Sequence, residues 1–311
     1  MPFAVDEECS LSQEDELRRC RPTSPFRAGG ALLLVVLLAG CIGEQILVRA
    51  SVGLAKLGAA SIQEEGDLPL AEEATASQLK LAEGMLKADP RNPELLLLLA
   101  QGFGGYAFAF VEPEDPRRAA TFYRRGLLYG WRLIDRQGGL TPALAGNDEA
   151  EVGRVLAGLS ADAVPGLFWT AYNWAGWINL ERDNPEALAD YWKVEAMMAR
   201  ILELDETYFD GGAHLFFIVS LASRPAMLGG NLAEAKKHYE RVVAITEGRF
   251  LLAHVLFATS YAVQTQDRGL FVRLCKQVLE APPTTIPRWG LLDALARQRA
   301  AILLEDIDAY F

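Results

Sequence analysis

Cysteine and histidine are both scarce in this 311-residue chain, at four and three copies. The three histidines, His214, His238 and His254, share no HExxH or other close ligand spacing, so a metal centre is not expected. A Walker loop, a GxSxG elbow and a paired-carboxylate motif are also missing, which leaves a hydrolase neither nucleophile nor metal. The chain therefore reads as non-enzymatic and cofactor-free. Basic residues are outnumbered, 30 against 41 acidic ones, for a formal charge of −11. A field of that sign repels nucleic acid and anionic lipid head groups, and neither is expected as a partner. Runs that alternate apolar and polar residues are absent, which argues against strands.

The apolar run Ala31 to Ala39, "ALLLVVLLA", is about half of the ~20 residues a transmembrane helix needs. Arg18, Arg19, Arg21 and Arg27 precede it, and small residues follow. A basic region, a short apolar region and a small-residue cleavage site make an export signal rather than an anchor. The ending "LAGC" resembles a bacterial lipobox, which implies cleavage before Cys41 and lipid on its thiol and amine. Several acyl chains at ~0.8 kcal/mol per buried CH₂ hold a soluble domain to a membrane. Ile42 and Gly43 follow, without the Asp that commonly retains lipoproteins at the inner membrane, so the periplasmic face of the outer membrane is the expected address. Residues 1 to 40 are read as signal peptide and 41 to 311 as one domain. Met1 to Leu17 carries six acidic residues and no basic ones, which suits a start codon assigned too far upstream. Processing would remove six acids and four arginines, leaving 35 acids and 26 bases, a charge of −9. With Cys41 lipidated, Cys275 stands alone, so no internal disulfide forms. Stability must come from a core, and roughly 270 residues can bury a large one.

After Gly43 the signals are helical. "NPE" at Asn92, "DPR" at Asp115 and "NPE" at Asn184 each place an Asn or Asp as N-cap with proline at the first helical position, where a missing N–H costs nothing. "NLAE" from Asn231 has capping-box spacing. From Pro116, residues Ala119, Phe122, Tyr123, Gly126, Leu127, Gly130, Leu133 and Ile134 form one stripe at the helical period. From Asn231, Leu232, Ala235, Tyr239, Val242 and Val243 form another. "LKADPRNPELLLLLAQGFGGYA" resembles the junction between tetratricopeptide (TPR) repeats, with fainter echoes at Leu202 and Val242. The expected fold is all-α: an irregular stack of TPR-like helical hairpins, an α-solenoid. The Gly- and Pro-rich stretch from Gly138 to Ala163 reads as a link between two halves.

Two segments are dense in aromatics. "FGGYAFAFVE" contains Phe103, Tyr106 and Phe110, and "LFWTAYNWAGWI" contains Trp169, Tyr172, Asn173 and Trp177. The glycines of "GFGGY" follow no strand and suit a close approach of two helices rather than a phosphate loop. A helix apolar on all sides must be buried. Other helices could cover these segments, or they could line a cavity for an amphipathic guest, since Trp and Tyr fill space while carrying donors. The seven residues named are the candidate ligand-binding set. His214, His254 and Cys275 lie in apolar helices and read as core residues.

Residues Leu95 to Trp131 and Gly211 to Val243, the latter containing "RPAMLGGN", resemble the T component of the tripartite ATP-independent periplasmic (TRAP) transporters. The resemblance weakens between Gly138 and Ala163 and after Pro282. It implies an exported lipoprotein of cryptic TPR-like hairpins associated with a periplasmic substrate-binding protein. It also implies an internal hydrophobic cleft for an apolar small molecule, and homotrimers. The reading that follows is a lipid-anchored transport auxiliary. A scaffold in an envelope assembly complex is the alternative, although peptide-binding solenoid surfaces are usually polar rather than densely aromatic.

Overall fold

A computed structural model describes residues 51–136 and 138–311, and Cys41 lies outside them. Among the described residues there is no strand. Helix α1 covers residues 51–63. It is followed by α2 (Leu68–Ala88), α3 (Pro93–Tyr106), α4 (Pro116–Ile134), α5 (Leu140–Ala145), α6 (Glu149–Ala157) and α7 (Val164–Leu180). The second part holds α8 (Pro185–Ala189), α9 (Tyr191–Asp205), α10 (Tyr208–Ser223), α11 (Leu232–Thr246), α12 (Leu251–Phe257), α13 (Arg268–Glu280) and α14 (Gly290–Glu305).

The cap grammar operates as expected. Asn92 accepts from the amides of Glu94 and Leu95, Asp115 from Arg118, Asn184 from Glu186, and Asn231 from Glu234. Prolines stand at the first turn of α3, α4 and α8. Before α11, Gly229 takes a left-handed φ of 86°, a conformation glycine adopts without penalty. Gly230 follows because a side chain there would run into the main-chain carbonyl of Arg224.

Helices pack as neighbours: α2 with α3, α3 with α4, α4 with α7, α10 with α11 and α13 with α14. Glycines permit the tightest crossing. A Cβ on Gly130 would lie 3.0 Å from Cα of Thr170, and one on Gly104 would lie 2.7 Å from Oδ1 of Asn173. The expected close approach at "GFGGY" is thus present, and it is α3 and α4 that approach α7. The stretch Gly138 to Ala163 departs from expectation. It is not a bare link but forms α5 and α6, with Leu140, Leu144, Val152 and Leu156 buried in the core around α7. Its glycines mark the short helices' ends (Gly139, φ 85°; Gly146; Gly158), so composition concealed the buried leucines between them.

Pro93–Val111 is apolar and long enough to cross a membrane by composition, yet most of it is buried among neighbouring helices. The stack also closes on itself. Helix α14 reaches α2, and Gly290 sits so tightly against the carbonyl of Glu64 that no Cβ would fit. The ring of helices leaves a hollow at its centre.

Two buried groups set the pH range of the fold. His214 and His238 meet through their Nδ1 atoms at 2.7 Å, a contact that needs one donor and one acceptor and fails if both rings are charged. Burial lowers the pKa of both, His238 to about 4, with His214 as a second cause for it. The unfolded chain therefore binds more protons than the fold below pH 6.5, and stability falls as pH drops from 6.5 through about 4. Asp293 is 5 % exposed with an unpartnered Oδ1, and burial raises its pKa to about 6. Its contribution is full below pH 3.8 and is lost as pH rises through 6, at roughly 2–3 kcal/mol. The two windows overlap with opposite signs, so the melting temperature is expected to change little between pH 4 and 6 and to level off above pH 6.5, and Asp293→Asn, which removes the opposing contribution, should make the rise from pH 4 to 6.5 steeper in thermal melts.

Candidate functional site

The central hollow has a volume of about 1210 Å³, somewhat above the roughly 300–1,000 Å³ usual for small-molecule pockets. Helices α1, α2, α3, α7, α10, α12 and α14 supply most of its wall, which is mainly apolar. Aromatic side chains form its centre. Phe168, Trp169, Tyr172 and Phe209 contact one another with ring centroids between 4.9 and 6.1 Å apart. The indole N–H of Trp169 donates to the hydroxyl of Tyr208 at 3.1 Å, so its polar handle is satisfied without water.

Of the candidate set, Tyr106, Phe110, Trp169 and Tyr172 stand in this wall. Phe103, Asn173 and Trp177 do not, and each has another role. Phe103 is 1 % exposed and stacks between Phe122 and Tyr129 under the guanidinium of Arg125. Asn173 is fully buried at the α3–α4–α7 crossing and donates to the carbonyls of Ala100 at 2.9 Å and Trp169 at 2.7 Å. Trp177 is half-buried against the packed core, with Arg124 over its ring at 5.7 Å. The wall also holds Phe108, Tyr123, Phe168, Phe209 and Trp289, outside the candidate set. Phe108 and Phe168 lie inside the two aromatic segments, so that density was the usable signal.

Local backbone geometry explains part of this. Residues Ala107–Val111 form a π-helical turn, with the Glu112 amide bonded to the Ala107 carbonyl five residues back. One extra residue per turn rotates all that follows, so face assignments drawn on a regular helix fail beyond Tyr106. The turn also strands the carbonyl of Phe108. Its partner four residues on is spent on Ala107, and five residues on stands Pro113, which has no N–H. Arg299 of α14 donates its Nη2 to that carbonyl and lays its guanidinium over the Phe108 ring at 4.1 Å. Beside it, Tyr123 donates to the Glu112 carboxylate at 2.6 Å. Burial raises the pKa of Tyr123 and Tyr172, and Glu112 adds to both shifts, so these phenols stay protonated donors.

A second irregularity borders the hollow. Phe209, Asp210 and Gly211 all adopt left-handed φ, at 50°, 57° and 83°. For the two non-glycine residues such backbone costs on the order of 1–3 kcal/mol each. The Phe209 ring in the aromatic cluster offsets it, as does Asp210, which accepts from Arg288 at 2.6 Å and from the Trp289 indole at 2.8 Å.

The remaining reactive side chains are occupied. His254 lies between the Tyr239 hydroxyl at 2.8 Å and the Gly248 carbonyl at 3.0 Å, and burial raises the thiol of Cys275 to about 11. Among the described residues no group of three or more His, Cys, Asp or Glu is placed to hold a metal.

Comparison with known sequences agrees with this geometry. Residues 64–311 match the family described as TRAP transporter T-component. The chain belongs to that family. The match runs through Gly138–Ala163 and past Pro282, where the sequence resemblance weakens, and those are the stretches that supply α5, α6 and the closing helix of this T component. A protein of Treponema pallidum (strain Nichols) bearing the description "Uncharacterized protein" is 24% identical over 266 residues, which is 80% of this chain and 81% of that one. As a T component the chain is an auxiliary part of a transport system.

Proposed function

We propose that this T component is tethered through lipid on Cys41 to the periplasmic face of the outer membrane. There it docks a TRAP substrate-binding protein and holds a hydrophobic organic molecule in the central hollow, without catalysing a reaction. The observation that carries the ligand half is the aromatic-walled cavity of about 1210 Å³ at the centre of the helical ring. A core built only for stability fills such a space, because interiors pack at crystal-like density. An apolar cleft of this size leaves ring surface in water that a guest would bury. Nothing comparable is needed by a pure scaffold, which presents its binding surface on the outside.

Native mass spectrometry of residues 43 to 311 tests the ligand and assembly halves together. The expected spectrum shows a co-purified small molecule released on activation, and it reports whether the protein is trimeric. Protein that is empty, and that takes up neither dodecanol nor dodecanoate when offered them, would remove the carrier role. Pull-down from envelope extract should recover a substrate-binding protein. Recovery of assembly factors alone would favour the scaffold. A Cys41→Ser chain should leave the membrane fraction.

A further inference from the structure

Charge is distributed in this protein against its own composition. The whole chain is acidic, at −11, yet the wall of the hollow carries four arginines, Arg182, Arg224, Arg288 and Arg299, and only two carboxylates, Glu112 and Asp210. Arg288 is paired with Asp210 at 2.6 Å, and Arg224 is paired with Glu195 from just behind the wall. When Glu195 is included, the site holds one cation more than it has anions. Arg182 is exposed at the rim, where it bonds the Asn179 side chain. Arg299 is the inner cation, partly buried, with no carboxylate oxygen within ion-pair distance among the described residues. One nitrogen of its guanidinium is engaged by the Phe108 carbonyl, which leaves a free edge of the five-donor fork.

Resting on the carrier reading above, we infer that the guest is an amphipathic monoanion whose carboxylate seats on Arg299 while its apolar body lies along Phe168, Trp169 and Tyr172. An inward-facing cation in apolar surroundings is costly unless it is paired, and burial accordingly pulls Arg299 below the ordinary arginine value. Arg offers carboxylates two parallel charge-assisted hydrogen bonds, and these strengthen where water is excluded. The neighbouring phenol of Tyr123 is already spent on Glu112. Glu112 also limits the charge accepted: it repels an anion from its side and makes a dianion unfavourable. The excess of a single positive charge matches a single negative one.

Three probes of equal chain length and different head charge test the assignment: dodecanoate, dodecanol and dodecyltrimethylammonium, titrated below their micellar concentrations. Dodecanoate is expected to bind at least about tenfold more tightly than dodecanol, and the ammonium compound most weakly. Arg299→Gln should abolish the preference for the acid and leave dodecanol within about twofold. Glu112→Gln should tighten dodecanoate severalfold, an opposite sign that damage to the fold would not produce. Arg182→Gln should leave the preference in place. Equal binding of acid and alcohol to the wild type would overturn the inference, as would a preference that survives Arg299→Gln or disappears in Arg182→Gln. If none of the three probes binds, the carrier reading itself fails and this one with it.

Discussion

Gly105→Phe is expected to abolish uptake of dodecanol and dodecanoate alike while leaving the fold intact. Gly105 lies on α3 in the wall of the hollow, and a Cβ added there meets nothing within 4 Å. A ring at that position therefore extends into the space a guest would use. Its Cβ displaces no neighbour. Replacing glycine by Phe in a helix interior also gains a few tenths of a kcal/mol, because the unfolded chain loses freedom. Affinity should drop at least about 100-fold as the melting temperature stays level or rises. Undiminished binding with a filled hollow would show that guests attach elsewhere. Few substitutions separate a pocket from a fold so cleanly, because most wall residues also hold the structure together. Trp169, bonded to Tyr208, is one of those.

The smaller change Gly126→Ala should do the reverse and destabilise the protein by about 1–2 kcal/mol. Gly126 faces Asn173 across the α4–α7 crossing, and a Cβ would fall inside van der Waals contact of three atoms of that amide. Asn173 cannot swing away, since its nitrogen is held by two carbonyls in a fully buried site. Moving it breaks those bonds and strands a buried amide, at about 1–3 kcal/mol. Forcing the helices apart instead costs a similar overpacking penalty. Either outcome exceeds the ~1 kcal/mol that alanine gains in helix propensity. At 2–4 °C per kcal/mol for a chain of this size, the melt should shift down by roughly 2–8 °C. A melt that holds or rises would mean that the crossing is looser than its geometry.

The contrast shows what can be read from a sequence here. Capping residues, proline positions and the amphipathic stripes are local, and they located α3, α4, α8 and α11 because each depends on a few adjacent residues. The aromatic segments could be recognised as buried, but not as wall or filler. That choice depends on which helix lies opposite, and on a π-helical turn that resets the phase after Tyr106. Phe103 and Tyr106 stand three apart on one helix, yet one stacks between α4 rings and the other faces the hollow. Asn173 looked like a polar group in a ligand site because nothing nearby in sequence reveals Gly126 or Ala100 as its partners. Arg299 and Trp289 are farther from any signal. They reach the site only because α14 folds back across some 190 residues to meet Phe108.

That return has a consequence for the order of events. The helices that shut the ring are synthesised last, so a chain still being made presents an open trough where the finished protein has a chamber. Greasy molecules met at that stage would find no lid and no Arg299. If the protein carries a guest as proposed, loading would belong to the completed polypeptide, and a version ending before α13 would be an empty gutter rather than a smaller vessel.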